Sequence, residues 1–388
     1  MMEAYEVTQE LLERGSEVPY INHSPLPKYA LKDQNYGMTI GHAVTKAGNI
    51  YVCWIGGGDN PKAYALVARS VDQGKTFSEP LLAIDPHDDS LPCPRCTIVC
   101  TMFCDVQGRL WLFFNQTLEH FDGKNSNWYI RCDNPDDESP VWTEPKYFSY
   151  GCTLNKPLIC KDGTWLLPVS LWKRHHISAP LQDQYVDLDA HRLAHVFESR
   201  DQGGTWKQLG GVHFPDSQFD EHMMVERDDG SIWMLGRVKT GLMEAFSYDG
   251  GRTWTEAQRA SVQSVSARFH LRKLPSGRIL LIKHGQKATE AAARRQEMTA
   301  FLSEDDGKTF PYALLLDERF EVSYPDADVG LEGEIYITYD RNRAIDGEIT
   351  MACIREEDIL AGKLVNEKSY LKRVIVAPGR APGKLNRE

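Results

Sequence analysis

The chain lacks any long apolar run. Of its 388 residues 41% are apolar, yet no stretch approaches the ~18 consecutive apolar residues that a bilayer crossing needs, so no membrane span is expected. The opening MMEAYEVTQELLERGSEVPY carries Glu3, Glu6, Glu10 and Glu13 and no apolar core, so it does not read as a secretory leader. The expected location is cytoplasmic, or secreted if an export signal once preceded it. An excess of basic charge is also missing: 44 Lys and Arg against 55 Asp and Glu leave a formal −11. That balance argues against nucleic acid or an anionic membrane as the main partner, while leaving room for a basic pocket. Nine cysteines cannot pair completely, and free thiols in a reducing compartment are expected. Cys93 and Cys96 with Cys100 and Cys104 have a zinc-like spacing, but the run TIVCTMFC interleaves them with apolar residues as buried strand thiols do. No metal and no cofactor is therefore expected. No Pro/Gly/Ser-rich linker divides the chain, so residues 1–388 read as one domain.

One phrase recurs four times: SVDQGKTF from Ser70, SRDQGGTW from Ser199, SYDGGRTW from Ser247 and SEDDGKTF from Ser303. A fixed phrase repeated along a chain marks a repeat architecture. Asp72, Asp201, Asp249 and Asp305 can close a turn by accepting backbone amides two residues on. Gly74, Gly203, Gly251 and Gly307 can take the positive φ of such a turn, and Phe77, Trp206, Trp254 and Phe310 can pack between sheets. The first two phrases stand 129 residues apart and the later ones 48 and 56, so the gap has room for two units with degraded phrases. One of these ends in CDNPDDESPVW, where a Cys-x-Asn turn replaces the usual one; the next begins at Gly151.

A common template of an apolar strand, a Gly-containing turn and a second apolar strand then appears six times, from HAVTKAGNIYVCWI to ADVGLEGEIYITYDR. The expected fold is all-β: a six-bladed β-propeller of four-stranded antiparallel blades, roughly 39–85, 93–147, 151–210, 219–258, 266–314 and 323–363, with terminal segments closing the ring and the first and last blades sharing strands. Helix is expected only over Glu3 to Arg14, Lys287 to Arg295 and Glu356 to Ala361, and the insertion Arg174 to Arg192 reads as a loop over one face. In a propeller the innermost strands line the axis, so residues just before each template strand are the site candidates. These are His42, Arg95, Asn155 and Lys156, Asp220 with Glu221 and His222, Arg268 with His270, and Tyr324 with Asp326 and Asp328.

The four phrases and the six-unit template resemble the sialidase superfamily, whose repeats carry the Asp box, or BNR repeat; the likeness covers Thr39 to Lys363. Finer matches follow. Glu221 in FDEHMMVERDDGSIWMLGR is followed by Arg237 as a family glutamate is by an arginine, SYPDADVG offers Tyr324 as the tyrosine before the last inner strand, and RRQEMTAF offers Arg295. The resemblance implies a glycosidase in which Tyr324 is the nucleophile, Glu221 its base, and Arg237 and Arg295 ligands of a substrate carboxylate. A phenol suits an anionic sugar because a carboxylate nucleophile would be repelled by it, and the planar guanidinium fork binds carboxylate bidentately. Two departures qualify this. The family opens its first blade with Arg-Ile-Pro, whose arginine completes a triad, where this chain has MTIGHAVTK; and the general acid has only Asp59 in IGGGDNPKAY as a counterpart, with Asp326 a further choice. Arg95 can supply the missing charge from the second blade, and His42, His222, His270 and Arg268 can converge on the axis.

The expected activity is thus an exo-acting, retaining glycoside hydrolase on an acidic or deoxy sugar. An elimination on uronates by axial His, Tyr and Arg, or carbohydrate binding without turnover, are the alternatives.

Overall fold

Strands begin where apolar residues alternate and end at Gly-containing turns, and the outcome is six antiparallel sheets. The computed structural model describes residues 5–285 and 295–379; the helix expected over 287–295 lies, apart from Arg295, outside them. Each sheet is a blade whose first strand faces the axis. The six inner strands are Met38–Val44, Cys100–Cys104, Leu158–Ile159, Asp220–Glu226, His270–Lys273 and Val322–Val329. The blades pack face to face through apolar second strands, with Trp54, Trp111, Trp165 and Trp233 fully buried. Of the helices expected in the described part, Glu356–Ala361 forms as read and the N-terminal one is shorter, Gln9–Arg14.

The Asp phrases close outer turns. In the first, Asp72 accepts from the amides of Lys75 and Thr76 at 3.1 and 2.9 Å and from the Thr76 hydroxyl at 2.7 Å, while the Gly74 amide donates to Ser70 Oγ at 2.8 Å. The amides captured are three and four residues on rather than two, because the carboxylate spans a wider loop than a simple Asx turn. The glycine has a second duty, since a Cβ on Gly203 would lie 2.5 Å from Trp111 of the preceding blade and one on Gly307 2.7 Å from Trp233. In the second blade Asn134 takes over, its Oδ1 accepting from the Val141 amide at 2.9 Å.

The ring closes differently from the sequence expectation. The first and last blades share no strand: Ile21–Asn22 adds to the outer edge of the first, and Tyr370–Val376 completes the last. They are joined instead by side chains and by loop backbone, the Gly379 amide donating to the Leu31 carbonyl at 2.7 Å. Asp326 and Asp328 of the last inner strand accept the amides of His42 and Val44 at 2.9 and 3.0 Å.

Candidate active site

Two of the three inner strands whose register slips near the start turn a residue there into left-handed backbone. Register shifts fall between Asp220 and Met223 and between Ser323 and Asp326, and inside them Glu221 and Tyr324 adopt left-handed backbone with φ of 46° and 56°. Such bulges re-aim a side chain, and positive φ at a non-glycine residue costs about 1–3 kcal/mol and is sustained only by its surroundings. Those surroundings are visible. The Glu221 amide donates to the Phe219 carbonyl at 2.6 Å, and Asp220 is tied to Ser170 Oγ at 2.6 Å. Around Tyr324, Arg268 donates to the Pro325 carbonyl at 3.0 Å and the Ala327 amide donates to His270 Nδ1 at 3.2 Å.

The two bulges bring their side chains together. Tyr324 Oη donates to Glu221 Oε1 at 2.7 Å, and Arg237 Nη1 donates to Glu221 Oε2 at 3.0 Å. Burial would raise the Glu221 carboxyl, but Arg237, the Tyr324 hydrogen bond and Arg295 outweigh it and hold it below the usual range. Burial, then the Glu221 charge, pushes the Tyr324 phenol well up against the opposing arginines. In the free protein the proton therefore rests on Tyr324, with an ionised Glu221 placed to receive it.

Tyr324 and Glu221 form the floor of a cleft of about 410 Å³, open mouth included, walled by Met38, Ile98, Val99, Leu154, Trp172 and Phe219, with Asp59 and His120 at its rim. Asp59 Oδ1 lies 3.2 Å from His120 Nε2, and this hydrogen bond is the main reason its carboxyl sits below the usual range. The insertion at 174–192 folds into short 3-10 turns and backs the wall: the His176 ring lies 4.7 Å from Phe219, and Trp172 meets Phe219 edge-on at 5.0 Å.

Arginines gather on the other side. Arg295 Nη1 and Arg343 Nη2 both donate to Ser323 Oγ, at 2.7 and 3.0 Å, and their Cζ atoms lie 6.0 and 4.1 Å from the centroid of the Tyr324 ring. Arg343 is further held by Asp340 Oδ1 at 2.9 Å. Among the described residues Arg295 has no carboxylate partner. Its pKa is lowered, by burial first and then by its neighbours Arg237 and Arg343.

Of the residues named from the sequence, Tyr324, Glu221, Arg237, Arg295 and Asp59 come together here. The others are placed elsewhere or spent on other partners. Arg95 donates to the carbonyls of Pro86 and Arg14 and pairs with Glu17, so it anchors the N-terminal segment. Arg268 does lie beside Tyr324, its Cζ 5.6 Å from the ring centroid, but it is fully buried and its donors are spent on Asn155 Oδ1 and the carbonyls of Leu154 and Pro325. His222 bonds the His195 carbonyl at 2.7 Å. His42, His270 and Asp326 form a closed axial cluster with Lys156, in which Asp326 lies within 3.3 Å of each histidine ring and bonds Lys156 Nζ. Burial lowers His270 to about 4, and Lys156 with the two histidines holds Asp326 far below the carboxylate range despite burial. The reason for the division is the pair of bulges. Inside the first, His222 turns its ring to the His195 carbonyl of the blade before, and Asp326 lies past the second, where regular pairing resumes. Arg343 and His120 escaped the sequence reading because both lie beyond a template strand, not before it.

Comparison with known proteins agrees with this fold. Residues 48–337 match the family described as BNR repeat-like domain. No curated protein sequence matches the chain. Among solved structures, it is similar to the Hadza microbial sialidase Hz136, at 19% identity and TM-score 0.66 over 85% of this chain and 69% of that one. It is also similar to the intramolecular trans-sialidase of Ruminococcus gnavus, solved with oseltamivir carboxylate, at 13% identity and TM-score 0.61 over 85% and 96%. A protein of unknown function from Dyadobacter fermentans is alike at 18% identity and TM-score 0.59 over 84% and 93%. At such identities the likeness is one of fold, while the family match spans most of the chain: this six-bladed propeller belongs to the BNR repeat-like family.

Proposed function

We propose that the protein is an exo-acting, retaining glycoside hydrolase for an acidic or deoxy sugar. The observation that carries this is the Tyr324–Glu221–Arg237 chain at the floor of the cleft, a phenol bonded to an ionised carboxylate that a guanidinium fixes. In the first step Tyr324 Oη attacks the anomeric carbon as the bond to the leaving oxygen breaks. The phenolic proton passes to Glu221 Oε1, and Asp59 supplies a proton to the leaving oxygen. Asp59 is held low in the free protein, and a sugar that covers the rim strips water from its carboxyl and raises it toward the protonated form the step needs. In the second step water attacks the same carbon with Asp59 as base, Tyr324 departs and regains its proton from Glu221, and configuration is retained.

The anionic character of the sugar is supported by the surplus of guanidinium groups beside Tyr324. The elimination reading drew on His42 and His222, both enclosed away from the cleft, and no observation favours it over hydrolysis. The test is turnover of a panel of aryl glycosides, sialosides and uronides included, with Tyr324→Phe and Glu221→Gln alongside. A fall of about 10³-fold for the first and about 10²-fold for the second is expected. Hydrolysis left unchanged by both substitutions rejects the mechanism, and sugar binding without turnover of any substrate assigns the cleft to recognition alone.

A further inference from the structure

The first inner strand opens with Met38 and Thr39 and offers no arginine to the cleft. We infer that Arg343, carried on the turn between the last blade's second and third strands, is the carboxylate-binding arginine that selects an anionic sugar, entering the site across the seam where the ring closes. This rests on the acidic-sugar reading of the cleft.

The seam is built to deliver it. The turn after the strand Ile335–Arg341 is closed by the amides of Ile345, Asp346 and Gly347, all donating to the Asn342 carbonyl at 3.0 Å. Its Arg343 carbonyl accepts the Gly37 amide at 3.2 Å, so the turn lies against the start of the first blade. The approach is close enough that a Cβ on Gly37 would stand 2.3 Å from the Gly347 carbonyl oxygen. Only glycine lets the turn sit there.

The side chain then has one end fixed and one end poorly served. Nε is held by Asp340 and Nη2 by Ser323, but the partner of Nη1 is the thioether sulfur of Met38 at 3.0 Å. A thioether is a weak acceptor for a cationic donor, and Met38 is itself a wall of the cleft. A ligand carboxylate reaching that wall exchanges a weak bond for a charge-assisted one. The charge balance points the same way. Arg237, Arg295 and Arg343 surround Tyr324 with Glu221 and Asp340 as their carboxylates, and Ser323 Oγ, a neutral oxygen, serves two guanidiniums at once. Like-charged groups held together out of water call for an anion between them.

The experiment is calorimetric titration of the full chain with 2-deoxy-2,3-didehydro-N-acetylneuraminic acid and with its methyl ester. Wild type is expected to prefer the acid. Arg343→Met should weaken the acid about 10- to 100-fold, the range for a lost hydrogen bond to a charged group, and leave the ester unchanged. Arg343→Lys should fall between, Gly37→Ala should weaken the acid by shifting the turn, and Met38→Arg in the Arg343→Met background should restore part of the loss. Thermal melting monitors folding, and Arg343→Lys decides the matter if Arg343→Met does not fold. Binding of the acid by Arg343→Met, or by Arg343→Lys in that case, as tight as wild type overturns the inference and leaves the acidic-sugar reading standing. Wild type that binds neither compound, or both equally, overturns both.

Discussion

Two charged clusters lie along the inner strands, a few residues apart in sequence and opposite in design. The axial one joins Asp326 to Lys156, His42 and His270, and Asp328 to Arg272 at 2.5 Å, so that each cation meets a carboxylate; Asp326 and the two histidines are buried, while Lys156 and Arg272 edge a second cavity. Among the described residues the cleft cluster keeps a guanidinium, Arg295, without such a partner, and its Glu221 and Tyr324 line a cavity. A neutralised cluster holds strands together, whereas one left with surplus charge is stabilised further only by a ligand. The first also serves the second, because His270 and Arg268 brace the backbone on which Tyr324 is bent.

The sharpest way to break this contrast is to unbalance the axial group. Asp326→Asn strands Lys156 as a buried cation and should cost about 3–5 kcal/mol in chemical denaturation. A loss no larger than that of a surface variant would show that the cluster is not what pins the ring. Acidification probes the same cluster from the other side. His270 is lowered to about 4, so between roughly pH 6.5 and 4 the unfolded chain takes up a proton that the folded one does not. Stability is therefore whole above pH 6.5 and falls as pH drops, by up to about 1.4 kcal/mol per pH unit for this one group. In His270→Asn the slope over that window should be shallower, and an unchanged slope would assign the loss to other groups.

The cleft should respond in the opposite sense. Arg295→Met removes a buried charge opposed by Arg237 and Arg343, so its melting temperature should rise by about 1–2 °C while affinity for an anionic sugar falls. A lower melting temperature would mean that Arg295 is a structural tie. Smallest of all, Asp305→Ala in the last Asp phrase should lower the melting temperature by about 1 °C and leave turnover untouched, since its carboxylate serves only Ser303 and Thr309 of its own turn.

Much of the scaffold was legible in the chain because an Asp phrase is a local object, made and satisfied within eight residues. Counting from the phrases led to strand starts, and those led to Glu221 and Tyr324, while Arg237, at the far end of a second strand, came from the family resemblance. What could not be read were facts of closure. Arg343 and Met38 are 305 residues apart and meet only because a ring has a seam. The left-handed backbone at Glu221 and Tyr324 left no glycine as a sign, since it is imposed by packing around the bulges. Strand starts also gathered too many candidates, because the bulge that decides which of the neighbours Glu221 and His222 turns to the cleft leaves no mark in the sequence.

The glycines of the Asp phrases bear on how such a ring could grow. Gly203 fits over Trp111 of the blade before it, and Gly307 over Trp233 in the same manner. Each such blade thus presents a flat key to its predecessor, and a tryptophan on a blade's second strand is the matching slot. A contact of this head-to-tail kind is indifferent to how many copies stand in the row. Duplication of a whole unit adds one key and one slot together and leaves neither bare, so the number of blades is set by the rotation per blade that brings the last against the first.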